Sequence, residues 1–264
     1  MSIHIAHTRR PAHTPNRSGF AAPIVFITAG RILRQLLNDR RTVVLILAVP
    51  SLMIALISAI MDAAPQVFAS VGLILLAFFP FMMMFMITSI TLLRERTGGT
   101  LERLMTTPTG KLDLVGGYAL AFGLAAATQT AIAATVAYTW LGLETAGPVW
   151  AVFVIAISAS LFGMALGLFV SAFATTEFQA IQFMPVFVVP QLLLCGLIWP
   201  REQMAGWLQG VSDVLPITYA VEALTEVRVN PEITSTMWTD LAVVGGAVLV
   251  AAALGAATLR RRTG

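Results

Sequence analysis

The side chains that could do chemistry in this chain are few, and none stands where a catalyst needs it. The three histidines, His4, His7 and His13, all lie in a polar, proline-containing stretch at residues 1–19. Their spacing would admit a metal ion, but a loose tail is the better reading of that composition, and no metal ligand set is assigned. The one cysteine, Cys195, sits in an apolar run, which excludes a disulfide within the chain and a multi-cysteine metal site. Hydroxyls recur inside apolar runs: Ser89, Thr91, Thr128, Thr130, Ser158 and Ser160. None has a histidine or lysine beside it to act as base, and no nucleophile-elbow, zinc-protease or phosphate-loop sequence occurs. Bonding of these hydroxyls to nearby backbone is the simpler expectation. No catalytic, cofactor-binding or metal residue is therefore assigned.

The densest charge outside the N-terminal stretch is Arg94-Glu-Arg-Thr-Gly-Gly-Thr-Leu-Glu-Arg-Leu104, continued to Asp113. Gly98 and Gly99 break an incoming helix, and Thr100 can cap a new short helix running to Leu104. Pro108 and Gly110 end it. Such a segment suits force transmission from a soluble partner, although an ordinary charged loop would read the same way. Glu177 is a second isolated carboxylate in a short turn. Phe79, Phe81, Met83, Phe85 and Met86 form an adaptable apolar cluster, a candidate substrate path, with packing or lipid contact as the plainer reading.

These residues are separated by elements that water could not solvate. The chain of 264 residues is 58% hydrophobic and 11% charged, and that charge cannot cover a soluble domain of this size. Its apolar runs are long enough to cross hydrocarbon ~30 Å thick as helices. We expect an all-α membrane protein of six transmembrane helices, at about 42–61, 67–93, 115–140, 149–173, 183–199 and 237–259. Residues 20–38 mix isoleucine and leucine with Arg31 and Arg34 and read as an interfacial helix with arginines towards headgroups. Residues 94–113 connect spans two and three, and Ala174 to Gln182 forms a polar turn. Residues 200–236 are too charged to span and read as short helices at the outer face, one carrying Trp207, Leu208 and Val211. Gly163 and Gly167 form a small-xxx-small pair in span four. No cleavable signal peptide is visible, since the first long apolar run starts near Thr42.

Fourteen of the Lys and Arg residues fall on one side of this arrangement and two, Arg201 and Arg228, on the other. The positive-inside rule then puts both termini, including tail 260–264, and segment 94–113 in the cytoplasm, and it favours an even number of spans. Eight carboxylates, Asp240 among them, fall on the outer side. No ionisable residue is expected at membrane depth, which argues against an ion-coupled transporter. No basic patch with interleaved aromatics occurs, so nucleic acid is not an expected partner.

Two motifs then carry a resemblance. One is the charged segment from Arg94 to Leu104 with Thr107-Pro108. The other runs from Ser171-Ala-Phe through Thr176-Glu-Phe-Gln-Ala and Gln182-Phe-Met-Pro185 to Trp199-Pro200 and Leu215-Pro-Ile-Thr-Tyr-Ala220. Over residues from about 20 to 259 the chain resembles the permease subunits of ABC-2-type exporters, in the bacterial branch of daunorubicin-resistance and nodulation-export permeases. The resemblance implies a transmembrane domain at 20–259, in the bacterial inner membrane, with a cytoplasmic coupling helix at 94–113. Glu95, Arg96, Gly98, Gly99, Thr100, Leu101, Glu102, Arg103 and Leu104 would contact an ABC ATP-binding subunit. ATP and Mg would be bound by that partner alone. It further implies a second permease copy or close homologue, membrane lipid around the pair, and a hydrophobic or amphipathic substrate such as a drug, lipid or lipid-linked glycan. A non-transporting scaffold or receptor subunit, or a membrane-embedded lipid enzyme, are the alternatives.

Overall fold

The computed structural model describes residues 22–99 and 110–258, and these are helical with short connections. The helices are α1 (Ala22–Asn38), α2 (Arg40–Ile60), α3 (Pro65–Thr97), α4 (Lys111–Thr139), α5 (Val149–Val170), α6 (Glu177–Leu194), α7 (Gly206–Ser212), α8 (Pro216–Val229) and α9 (Ser235–Thr258), with a 3₁₀ turn at Arg201–Gln203. Six of them, all but α1, α7 and α8, are long and apolar enough to cross a membrane. Residues 100–104, where the short capped helix is expected, lie outside the described residues, as do the tails at 1–19 and 260–264.

Local signals set the ends. Asp39 caps α2, its carboxylate accepting from the Thr42 amide at 3.2 Å and the Thr42 hydroxyl at 2.6 Å. Pro65 opens α3 at a position where a missing N–H costs nothing. Gly99 follows the end of α3 with φ +69°, a conformation that side chains resist. The polar turn expected from Ala174 to Gln182 is shorter than its composition suggests. Thr176 accepts a hydrogen bond from the Gln179 amide at 3.2 Å, so α6 starts at Glu177. It also stops at Leu194, five residues before the expected end, because Gly196 adopts φ +92°. At ~1.5 Å per residue its 18 residues reach about 27 Å, close to the hydrocarbon thickness.

Helix α3 is the axis of the bundle, buried along most of its length, and α5 lies against it. The contact is close because Gly163 and Gly167 let the α3 backbone in. A Cβ at Gly163 would sit 2.2 Å from the Phe81 carbonyl oxygen, and one at Gly167 2.5 Å from that of Phe85. Phe81 stacks on Phe162 with centroids 5.7 Å apart across the same seam. By contrast α2 and α6 bury little of their surface. Helix α9 packs on α5 and α8, and α4 on α1 and α5. Two ends result. One gathers α1, the ends of α3 and α9 and the start of α6; the other holds α7, α8 and the 141–148 loop, which bonds to α8 through Ala146 and Gly147.

Asp240, counted among the outer carboxylates, lies within α9 and is buried, its Oδ2 without a hydrogen-bond partner among the described residues. Trp207 and Val211 stay exposed on α7.

Candidate functional site at the charged end of the bundle

The last turn of α3 presents Arg94, Glu95 and Arg96 in succession. Consecutive helical residues point about 100° apart, so three neighbours on one helix meet three different surroundings. Arg94 reaches the start of α6, with Nε 2.7 Å from Glu177 Oε1 and Nη2 2.9 Å from Oε2, a two-pronged pairing that only a guanidinium makes. Glu95 turns inward and is 4% exposed. Its carboxylate accepts a short hydrogen bond from the Tyr118 hydroxyl on α4. Its other oxygen lies 3.0 Å from Arg31 Nη1 on α1. Arg96 crosses to the end of α9, where Nη2 is 3.1 Å from Thr258 Oγ1. One helical turn thus ties α3 to α1, α4, α6 and α9, immediately before the Gly98-Gly99 break.

Arg31 is held firmly charged. Burial alone would lower its pKa, but the bonded Glu95 carboxylate outweighs that and raises it above the ordinary arginine value. Gly117 on α4 admits Thr28 of α1 at the same level: a Cβ there would lie 2.6 Å from Thr28 Cβ. Tyr118 stacks on Phe122 at 5.9 Å, which fixes its ring beneath the hydroxyl.

A cavity of about 350 Å³ opens beside this turn, between α1, α2 and α3. Met83 and Met86 line it, with Phe122 of α4 and Arg94 at its polar end.

A family model described as ABC-2 type transporter matches residues 24–228, most of the chain. The chain belongs to the ABC-2 type transporter family. It is similar to the probable multidrug ABC transporter permease YbhR of Escherichia coli K12, at 26% identity over 59% of this chain and 42% of that protein. It is similar to the linearmycin resistance permease protein LnrN of Bacillus subtilis, at 27% identity over 62% of this chain and 41% of the other. Nodulation protein J of Rhizobium meliloti is 28% identical over 53% of each chain. The matched region covers about half or less of the length of these relatives. The chain is thus a multi-pass membrane protein of a transport family.

Within this ABC-2 chain the expected site residues separate. Glu95 does not face outward, because its carboxylate is taken up by Arg31 and Tyr118. Arg31 itself, expected among headgroups, is drawn into that pair, whereas Arg34 remains exposed. Arg96 is half-buried on Thr258, and Gly98 and Gly99 end the described part of the motif. Thr100, Leu101, Glu102, Arg103 and Leu104 lie outside the described residues. Glu177 joins the site through Arg94. The aromatic and methionine cluster divides: Phe81 and Phe85 are fully buried in the α3 core, Phe79 is half-buried beside Phe78, and Met83 and Met86 reach the cavity.

Most of the hydroxyls bond locally. Ser89, Thr128, Ser158 and Ser160 each donate to a carbonyl three or four residues back. Gln129, fully buried within α4, escaped the sequence reading, and its amide has no partner among the described residues; nor has the hydroxyl of neighbouring Thr130. A lone glutamine among alanines was the available signal. Cys195 is buried, its thiol donating to the Leu192 carbonyl at 3.3 Å.

Proposed function

We propose that this chain is the membrane-spanning permease of an ATP-driven exporter, working with a separate ATP-binding subunit that docks on segment 94–113. The observation that carries this is the turn Arg94-Glu95-Arg96, which joins the base of that segment to four other helices at once. In this reading Glu95 and Arg96 anchor the segment to the bundle, while Leu101, Glu102, Arg103 and Leu104 meet the partner. ATP and Mg belong to that partner. Arginine distribution supports a bacterial inner-membrane protein with both termini and the charged end in the cytoplasm. The large apolar area left uncovered on α2 and α6 supports pairing with a second permease copy or a close homologue. The short helices α7 and α8 then lie at the outer face. A hydrophobic or amphipathic cargo, such as a drug, a lipid or a lipid-linked glycan, fits the apolar lining available, and relatives named for multidrug transport and linearmycin resistance favour that class.

The test is co-expression of the chain with candidate ATP-binding subunits. A stable complex should form, and its ATP turnover in liposomes should respond to cargo. Leu101→Asp with Leu104→Asp should leave insertion intact and abolish that response. A double variant that couples like the parent would remove the docking role from this segment. A complex that never responds to any of a panel of drugs and lipids would favour a scaffold.

A further inference from the structure

We infer that the cavity between α1, α2 and α3 is a site for one phospholipid of the adjoining leaflet, specifically one whose headgroup carries a primary ammonium. The walls are mostly apolar, with Ile32 from α1, Leu45 and Ile46 from α2 and Ile87 from α3, and Gln35, Thr42 and Thr91 among them. The helices that enclose it turn exposed apolar side chains outward, Phe26 and Ile27 on α1 and Val44 and Leu52 on α2, so its surroundings are hydrocarbon. Water would find polar partners only at Gln35, Thr42, Thr91 and the charged rim. An acyl chain entering from the bilayer keeps every apolar contact and needs none. The volume of about 350 Å³ falls at the lower end of the ~300–1,000 Å³ usual for small-molecule sites and suits part of one lipid, not a large cargo.

The polar end selects the headgroup. Arg94 and Asp39 both line it, close enough for each to stabilise the charge of the other. Arg94 gives Nε and Nη2 to Glu177, and a guanidinium has five N–H donors, so a phosphate can still be met. Asp39 is exposed and ionised, and its carboxylate accepts from the Thr42 amide and hydroxyl and from the Arg41 backbone, leaving one of about four lone-pair sites open. A cation and an anion on one rim match the phosphate and the ammonium of a zwitterionic headgroup. A second negative charge would be repelled by Asp39 and Glu177. A trimethylated ammonium has no N–H to donate to Asp39. The assignment concerns a resident bilayer lipid and is independent of which cargo the protein moves.

The experiment uses the full chain in nanodiscs made with equal parts of phosphatidylethanolamine, phosphatidylcholine and phosphatidylglycerol. After extraction and extensive washing, retained lipid is counted by native mass spectrometry. One phosphatidylethanolamine per chain should remain. Asp39→Asn keeps a good helix cap and removes the charge. It should cut the preference for the ethanolamine over the choline lipid by about tenfold, as loss of a charge-assisted hydrogen bond at a partly wet site would. Leu45→Trp, which blocks the mouth from an exposed position, should abolish retention. Val44→Trp, its exposed neighbour outside the cavity, should not. Retention of phosphatidylglycerol in preference, equal retention of all three lipids, or an unchanged count in Leu45→Trp would each overturn the assignment.

Discussion

Replacing Arg31 by methionine is the sharpest probe of the charged end, because it strands a buried carboxylate. Glu95 is 4% exposed and Arg31 33% exposed, with 3.0 Å between Glu95 Oε1 and Arg31 Nη1. At that separation and an effective dielectric constant of about 20, the gross attraction is about 5.5 kcal/mol. Desolvation of both ions offsets part of it. The useful figure is the cost of removing one partner, about 3–5 kcal/mol for a buried pair, and about 3 here because Arg31 keeps some contact with solvent. The loss is asymmetric. Arg31→Met leaves Glu95 with the Tyr118 hydroxyl alone. Glu95→Gln keeps a neutral acceptor beside Arg31, which is 33% exposed although its Nε and Nη2 are buried, and should cost about 1–2 kcal/mol, and Tyr118→Phe removes one bond to a charge, at about 1.5–3 kcal/mol. Removing both charges, Arg31→Met with Glu95→Leu, should recover part of the stability, since an apolar pair carries no ion desolvation cost, while the buried Tyr118 hydroxyl loses its acceptor at about 1–3 kcal/mol. The assay is thermal denaturation in nanodiscs, followed by the loss of monodisperse protein, with exposed Arg34→Met as control. If Arg31→Met denatures no earlier than Arg34→Met, or if the double variant is less stable than Arg31→Met alone, the carboxylate is not held as described.

Three further outcomes follow from the geometry. Gly163→Ala and Gly167→Ala each put a methyl group against a backbone oxygen, at 2.2 and 2.5 Å, so α3 and α5 must separate; a loss of about 1–3 kcal/mol is expected for each, read by denaturation in detergent, while Gly245→Ala, with open space around it, should be neutral. The Arg94–Glu177 pair joins two half-exposed side chains, so a double-mutant cycle with alanine should give a coupling energy of only about 0.5–1 kcal/mol, and 0.5 M salt should shrink it. The Asp39 pKa is lowered by the Thr42 hydroxyl and amide, so its support of α2 is complete above the ordinary aspartate pKa of about 3.9 and fades as the pH falls through the lower native value. Amide exchange in the first turn of α2 should therefore accelerate only in acid, and Asp39→Asn should remove that dependence; an unchanged acid response in the variant would exclude Asp39 as its source.

What the sequence conveyed, and what it withheld, follows from the range of each interaction. The six crossings are legible because hydropathy is a property of one segment and needs no partner. The pair Gly163 and Gly167 is legible as a close-contact signal for the same reason, but spacing alone says nothing of the Phe81 and Phe85 carbonyls that exploit it. The start of α6 is hidden because Ala174 to Gln182 looks polar, when three of its polar groups, Thr175, Thr176 and Gln179, spend themselves capping the helix. Arg31 was placed among headgroups because an arginine on a helix with an apolar face ordinarily lies there; its partner Glu95 is distant in sequence and on another helix.

The turn at Arg94 to Arg96 shows how far such reasoning can reach. Helical geometry alone requires three adjacent charges to diverge, so they could not all face one docking partner. The destinations are separated from them by 83, 23 and 162 residues for Glu177, Tyr118 and Thr258, and no local pattern encodes those distances. The divergence bears on the proposed mechanism. Were segment 94–113 attached through α3 alone, a push on it would spend itself bending one helix. Because the same turn grips α1, α4, α6 and α9, displacement at its base must shift several helices together or break these bonds. The proposed coupling therefore depends on Glu95 and Arg96 as fixed attachments: neutralising them should weaken the response of ATP turnover to cargo even where the partner still binds, whereas loss of Leu101 and Leu104 should act at the contact with the partner itself.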